Sequence, residues 1–271
     1  MMTKGQIDRL GDRLRHDPID DQTLAELQEF RALYALPMQK AQALIKEHLG
    51  YEATARLKTV NTTVEKLRRE TTRLSQIQDI AGIRLVGDWF LEEQDLLVDE
   101  IVKLFDNAKV QDRRTKPSQG YRAVHVIAVV DERPIEIQVR TLQQDAWAQT
   151  MEKLADMVGR EVRYGGPPIR GGPTAAFVVG RLMNFSKYLA EFEARRNEVG
   201  LVKAAVARIR AEMHRLPPEE AKALEGWLEG FLARVPALEA REQQVSEELR
   251  AIWASMPKLH AMLTENQGPE Q

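Results

Sequence analysis

The sequence contains no cysteine, which excludes a disulfide scaffold, a thiolate zinc site and a thiol nucleophile. Aromatic residues are scarce, at 6%, and neither sign of charge dominates: 39 Lys+Arg face 41 Asp+Glu, for a formal net charge of -2. Polyanion binding over the whole surface is therefore not expected, although local basic surfaces remain open. No apolar run approaches the roughly 18–20 residues of a membrane span. The opening stretch MMTKGQIDRLGDRLRHD is charged from its fourth residue, so it does not read as a secretory leader. The five histidines fall into no ligand spacing, which argues against a histidine-built metal site. What remains is 271 residues, 43% of them hydrophobic, enough for one large domain or two small ones with a proper core. The expectation is a soluble, cytoplasmic protein with no membrane partner.

Residues 1–75 read as helical, with apolar groups three apart at Leu24, Leu27, Phe30, Leu33 and Leu36. The middle changes period. Ile83–Gly87 is a β-type run, Leu91–Phe105 an amphipathic helix, and Ala123–Val130 and Pro134–Thr141 are two further β runs. The short polar link Asp131-Glu132-Arg133 between those two predicts an antiparallel hairpin. A helix is expected from Leu142 to just before Gly159. The Gly/Pro-rich stretch Tyr164–Pro173 then marks the clearest boundary. Beyond it, helices are expected over about 174–214, from Pro217, and from Pro236 to about 262. Residues 217–250 are mildly acidic, with eight Glu against four Lys+Arg. The fold class is α/β (α+β), a mixed centre with helical flanks. Its parts are an N-terminal helical flank over 1–50, a central domain over 51–165 and a C-terminal helical region over 174–265.

Four stretches concentrate chemistry. In Pro134-Ile-Glu-Ile-Gln-Val-Arg-Thr141, alternation puts Ile135, Ile137 and Val139 on one face and Glu136, Gln138 and Arg140 on the other. That second face offers a metal ligand or base, an amide arm and an anion clamp. A solvated polar face on an edge sheet fits the alternation too. In Gln78-Asp-Ile-Ala-Gly-Ile-Arg84, Asp79 precedes a strand and Arg84 follows, an arrangement that also suits a plain turn acid. Between Arg56 and Arg84 lie seven Lys+Arg and three acids. With Asn61 or Thr62 as a helix cap, Lys66 falls one turn in, near a partially positive end suited to phosphate; a solvated helix face with Glu65–Arg69 and Lys66–Glu70 pairs fits equally. Finally, Lys116-Pro-Ser-Gln-Gly-Tyr-Arg-Ala-Val-His125 sets Tyr121 and His125 behind a basic loop, where a ring can stack a base or simply pack.

In this order, the segments Arg56-x-Lys58-x-x-x-Thr62-x-x-x-Lys66, Gln78–Arg84, Gly120-Tyr-Arg-Ala-Val-His125 and Glu136-Ile-Gln-Val-Arg-Thr141, followed by Trp147-Ala148, resemble the synthetase domain of the RelA/SpoT family, especially its small stand-alone members. The likeness covers about residues 50–165. It implies a nucleotidyltransferase-like mixed β-sheet domain that transfers the β,γ-diphosphate of ATP, with Mg2+, to a ribose 3′-hydroxyl. It further implies Asp79 and Glu136 as Mg2+ ligands, with Glu136 also drawing the proton from the attacking hydroxyl. Arg56 and Arg84 match the arginines that sandwich adenine. Lys58, Thr62 and Lys66 match phosphate-binding positions. Tyr121 matches the ring that stacks on the acceptor base, with His125, Gln138, Arg140 and Lys116 on the acceptor side.

The chain departs from the family pattern in places. Thr62 replaces a serine, Ala123 replaces the usual serine before the histidine, and Met151-Glu152 replaces a Glu-His pair. Asp145 stands where many alarmone-making members carry Asn, and its carboxylate can accept from guanine N1–H and N2–H2. Fifty residues are too few for a hydrolase domain and His16-Asp17 is isolated, so alarmone hydrolysis is not expected. The resemblance implies a GTP diphosphokinase-type enzyme with GDP or GTP as acceptor, yielding (p)ppGpp, the alarmone of the stringent response. The alternative is a toxin that pyrophosphorylates the tRNA 3′ end, opposed by an antitoxin. Arg113, Arg114, Lys116, Arg160, Arg163 and Arg170 would then supply the cationic surface. A further alternative is an inactive nucleotide-sensing module. Leu182, Phe185, Leu189 and Phe192 form an apolar stripe expected to pack, and the C-terminal helices would either assemble a homo-oligomer or cover the basic cleft.

Overall fold

A computed structural model describes residues 2–233 and, beyond them, 235–237, 240, 243–244, 247–248, 251, 254 and 261. Much of the helix expected from Pro236 to about 262, and of the acidic stretch beyond 233, lies outside the described residues; the residues described there are helical. The element order is α1 (Lys4–Leu14), α2 (Asp21–Ala32), α3 (Ala35–Leu49), β1 (Thr54–Leu57), α4 (Val60–Arg69), β2 (Ala81–Gly87), α5 (Leu91–Leu104), β3 (Lys109–Asp112), β4 (Val124–Val130), β5 (Arg133–Thr141), α6 (Leu142–Val158), α7 (Gly172–Glu212) and α8 (Pro218–Leu232). Among the described residues no helix is long and apolar enough to cross a membrane.

Contacts divide the chain into two compact units. The first comprises Met1–Gly87, Asp95–Asp112 and Ala123–Arg140; the second comprises Asp88–Gln94, Arg113–Arg122 and Thr141–Gln271.

The first unit carries the sheet, with strand order β1-β2-β5-β4-β3. The expected hairpin is present: β4 and β5 pair antiparallel from Val124↔Val139 to Val130↔Arg133. Its turn residues Asp131 and Glu132 both have positive φ, 47° and 64°, the two-residue geometry that follows the natural twist of paired strands. Ile135, Ile137 and Val139 are fully buried, so the alternation read along β5 names the core face correctly. Ile83 and Leu85 of β2, Val124 and Val126 of β4, and Leu10, Leu27, Phe30 and Ile45 of the N-terminal helices are buried in the same unit.

Helix starts follow local hydrogen bonding. Thr3 and Gln6 form a reciprocal capping box on α1, and Asp20 accepts from Thr23 N at 2.6 Å to start α2. Gly50, with φ 73°, closes α3 in the left-handed conformation.

Two strands escape the sequence reading. Thr54–Leu57 interrupts the stretch expected to be helical, and Lys109–Asp112 follows α5 as the far edge strand. Each is four residues long, too short for a period to register. Pairing with a longer neighbour, β2 for one and β4 for the other, makes them strands.

In the second unit α6 begins at Thr141, whose side chain accepts from Gln144 N at 3.1 Å, and stops at Gly159, within a residue of the expected limits. Trp147, Ala148, Met151, Leu154, Ala155 and Val158 of α6 form one core with Ala175, Val179, Leu182, Leu189 and Phe192 of α7. The stripe on α7 is thus a packing face, covered within the chain. At the far end of α7, Arg210 pairs with Glu225 of α8, which engages part of the acidic stretch.

Candidate functional site

The junction between β1 and α4 builds the first cluster. Lys58 N donates to Ile80 O at 2.8 Å, which carries the β1–β2 pairing one residue past the strand. Thr59 then caps α4, its hydroxyl accepting from Thr62 N at 3.2 Å. This corrects the cap expected at Asn61 or Thr62. Thr62 is instead in the first turn, its Oγ1 2.8 Å from Thr59 Oγ1, and Lys66 lies in the last turn of the helix. The helix dipole therefore does not explain Lys66 as a phosphate group's partner, because the partial positive charge sits at the other end. A carboxylate explains its position. Lys66 Nζ is 3.0 Å from Asp79 Oδ1, and Lys58 Nζ is 2.7 Å from Asp79 Oδ2. Burial pushes the Asp79 carboxyl up, but the two ammonium groups outweigh it and hold the carboxyl below its ordinary range.

Two arginines that the sequence does not mark hold this junction. Arg31 of α2 donates Nε to Lys58 O at 2.6 Å. Arg15, between α1 and α2, donates Nη1 to Glu70 O at 2.7 Å and also reaches Leu67 O and Thr72 O. One guanidinium thereby serves carbonyls at the end of α4 that have no helical donor. Basic residues at these helical positions normally point to solvent, so no local pattern signals them.

The polar face of β5 forms the second cluster. Gln138 Nε2 donates to Glu136 Oε2 at 2.6 Å, and Arg140 Nη2 donates to Gln138 Oε1 at 2.7 Å. Residues two apart on a strand share a face, so the three make a continuous row. His125 of β4, paired in register with Gln138, sets Nδ1 3.0 Å from Glu136 Oε1. Burial raises the Glu136 carboxyl and so does the nearby Asp79 charge. The His125 contact and the Gln138 amide prevail, leaving Glu136 below the ordinary carboxylate range.

The β1–β2 register sets Arg56 opposite Gly82 and Thr54 opposite Arg84, so both arginines occupy the face away from the buried Ile83. A Cβ built on Gly82 would stand 3.9 Å from Arg56 O and 4.0 Å from Glu136 O, which places β2 between the strands bearing those two residues. The first unit thus holds Arg56, Lys58, Thr62, Lys66, Asp79, Arg84, His125, Glu136, Gln138 and Arg140. Direct contacts join Lys58–Asp79–Lys66 and His125–Glu136–Gln138–Arg140, and the field of Asp79 reaches Glu136.

The other nominated residues belong to the second unit. Lys116 is exposed in the turn after β3. Tyr121 is half-buried against the α6–α7 core. Asp145 is buried in the first turn of α6 and accepts from Gln149.

Among the described residues no group of three or more His, Asp or Glu could hold a metal by itself. A Mg2+ ion does not need such a cage. It takes one or two protein carboxylates and completes its shell with substrate phosphates and water, and Asp79 and Glu136 are two ionised carboxylates within each other's field. The residues fit that ion.

A family model described as "Region found in RelA / SpoT proteins" matches residues 55–155. An uncharacterized protein of Mycobacterium tuberculosis is 37% identical over 198 residues, covering 69% of this chain and 72% of that protein. The chain belongs to the RelA/SpoT family. All thirteen nominated residues fall inside the RelA/SpoT region, whereas α7 and α8 follow it. Among solved structures, the chain is similar to a GTP pyrophosphokinase family protein from Streptococcus pneumoniae, with TM-score 0.49 and 22% identity over 68% of this chain and 96% of that one. It is also similar to the small alarmone synthetase 1 of Bacillus subtilis bound to its product pppGpp, with TM-score 0.47 and 22% identity over 64% and 98% of the respective chains.

Proposed function

We propose that this chain is an ATP-dependent pyrophosphokinase that transfers the β,γ-diphosphate of ATP to the 3′-hydroxyl of GDP or GTP, giving ppGpp or pppGpp. The observation that carries the reading is the pair of ionised carboxylates, one of them neutralised by two lysines, beside the strand arginines. Asp79 and Glu136 would hold Mg2+, which when bound supplies charge neutralisation for the polyphosphate. Lys58 and Lys66, now on Asp79, are placed to turn to the phosphates, and Thr62 adds a hydroxyl. Arg56 and Arg84 offer guanidinium planes for the adenine. The acceptor 3′-oxygen attacks the β-phosphorus, its proton passes to Glu136, and the bond from the β-phosphorus to the bridging oxygen breaks. AMP leaves with that oxygen, and cations nearby stabilise the charge it gains.

A tRNA acceptor would instead call on cationic side chains of the second unit, among which Arg160 lies 3.3 Å from Asp156 and Arg163 lies 3.6 Å from Glu152, both in solvent-accessible pairs open to exchange for phosphate. The deciding experiment incubates the protein with ATP labelled in the β,γ-phosphates plus GDP, GTP or deacylated tRNA. Label in the guanine nucleotide, with stoichiometric AMP, is expected. Label only in tRNA would replace this acceptor with the other, and AMP release with neither would remove the transferase reading.

The two carboxyl groups also set a pH expectation. Their active form is the ionised one, and their titration lies below the ordinary range near 4, so neither is lost until the pH falls through those lowered values. The profile of kcat/KM for ATP should show no carboxylate limb between pH 5 and 8. An acid limb between pH 5 and 8 that survives substitution of His125 would contradict this assignment.

A further inference from the structure

Every residue assigned above lies in the first 155 positions, yet the second unit holds a buried polar cluster centred on α7 that the reaction does not use. Glu193 is 5% exposed. Thr141 donates its hydroxyl to Glu193 Oε1 at 2.5 Å, and Gln144 Nε2 donates to Oε2 at 3.4 Å. Gln144 in turn accepts from Gln94 at 2.9 Å, and Gln94 accepts from Arg114 at 3.0 Å. Burial raises the Glu193 carboxyl, opposed by those two hydrogen bonds and by the charges of Arg122 and Arg114. A carboxyl placed in an apolar interface is costly unless hydrogen bonds and charges compensate it, and one of the compensating charges, Arg122, belongs to a segment that α7 also touches elsewhere.

That segment is Gly120-Tyr121-Arg122. Gly120 has φ +83°, and a Cβ there would fall 2.7 Å from Trp147 Cζ2 and 3.1 Å from Ser186 Cβ, so only glycine fits. Ser186 donates its hydroxyl to Gly120 O at 2.5 Å. Trp147 is itself fixed by its indole N–H, which donates to Leu182 O at 2.8 Å. Arg122 lines the same small cavity as Ser186, Leu189 and Glu193. Ser186, Leu189 and Glu193 are three and four residues apart, hence on one stripe of α7. Tyr121 is therefore flanked by Gly120, which Ser186 holds by a hydrogen bond, and by Arg122, which shares the cavity with Glu193; its own N–H is tied to Ser118 O at 2.9 Å.

We propose that α7 holds Tyr121 in place, through the Ser186 hydrogen bond to the Gly120 carbonyl and through Glu193 in the cavity beside Arg122, and thereby sets acceptor affinity. This rests on the reading of Tyr121 as the ring that stacks on the acceptor base. Ser186 and Glu193 are positioning residues, and a helix outside the RelA/SpoT region becomes a determinant of how well the acceptor binds.

The test uses the full chain with Ser186→Ala, Glu193→Ala and Glu193→Gln. In the absence of any nucleotide, amide hydrogen exchange over 118–122 should quicken in both alanine variants and stay nearer wild type in Glu193→Gln, which retains an acceptor for Thr141. With the acceptor that wild type uses, KM for that acceptor should rise about tenfold in the alanine variants, the scale of one or two lost buried hydrogen bonds. KM for ATP and kcat should hold within about threefold. Unchanged exchange over 118–122 would overturn the proposal. So would faster exchange with an unchanged acceptor KM, or an equal rise in both KM values, which marks general loosening. If wild type transfers to no acceptor, the function proposed above falls, while the exchange measurement still decides whether α7 holds the segment.

Discussion

Glu136→Gln should lower diphosphate transfer at least ~100-fold, the range in which a positioned general base contributes. Gln keeps the shape of the side chain, so the fully buried Ile135 and Ile137 on either side keep their packing. What disappears is the negative charge, and with it one carboxylate for a metal ion and the acceptor for the hydroxyl proton. The Gln138 amide at 2.6 Å and His125 at 3.0 Å would then face an amide rather than an anion. Initial rates of AMP formation at saturating ATP measure the effect, and the thermal midpoint and ATP binding of the variant serve as controls. A variant that keeps more than about a tenth of the wild-type rate would remove Glu136 from the chemistry. One that leaves every biochemical property unchanged would favour a nucleotide-sensing module instead.

Ending the chain after Gly172 should abolish soluble folding of the second unit. The truncation removes Val179, Leu182, Leu189 and Phe192, all buried against α6. At about 1.5–3 kcal/mol for each large apolar side chain, the lost burial is on the order of 6–12 kcal/mol, comparable with the whole stability of a typical domain. It also strips Glu193 and Ser186 from the Gly120–Arg122 segment. Aggregation, or a broad transition with dye binding, is expected in place of a cooperative melt. A truncated protein that stayed soluble, melted cooperatively and worked faster than the full chain would show instead that the C-terminal helices cover the cleft.

Much of the candidate site was legible because strand chemistry is local. The period of two along β5 separated Glu136, Gln138 and Arg140 from Ile135, Ile137 and Val139 before any partner strand was known, since consecutive side chains on a strand must point to opposite faces. The hairpin and the limits of α6 were legible for a similar reason: a short polar link and a threonine cap act within a few residues. The cap of α4 was misplaced by a few residues because Thr59, Asn61 and Thr62 are all competent capping types, and only the strand ending at Leu57 selects Thr59. That small shift changes the account of Lys66, from a partner of the helix dipole to a partner of Asp79.

The sequence by itself determined which residue types carry the chemistry, which face of each long element is apolar, and membership of a family whose motifs run from Arg56 to Trp147. Only the tertiary structure decided that β1 and β3 are strands, that both Lys58 and Lys66 meet Asp79, that Arg15 closes α4, and that Glu193 is buried under Thr141. The physical reason is range. Periodicity and capping are set by neighbours a few residues apart, whereas an ion pair across 13 or 21 residues, or a hydrogen bond across 52, depends on which faces the folded chain brings together. A glutamate between Phe192 and Ala194 looks like any solvated helix charge until α6 is packed against it.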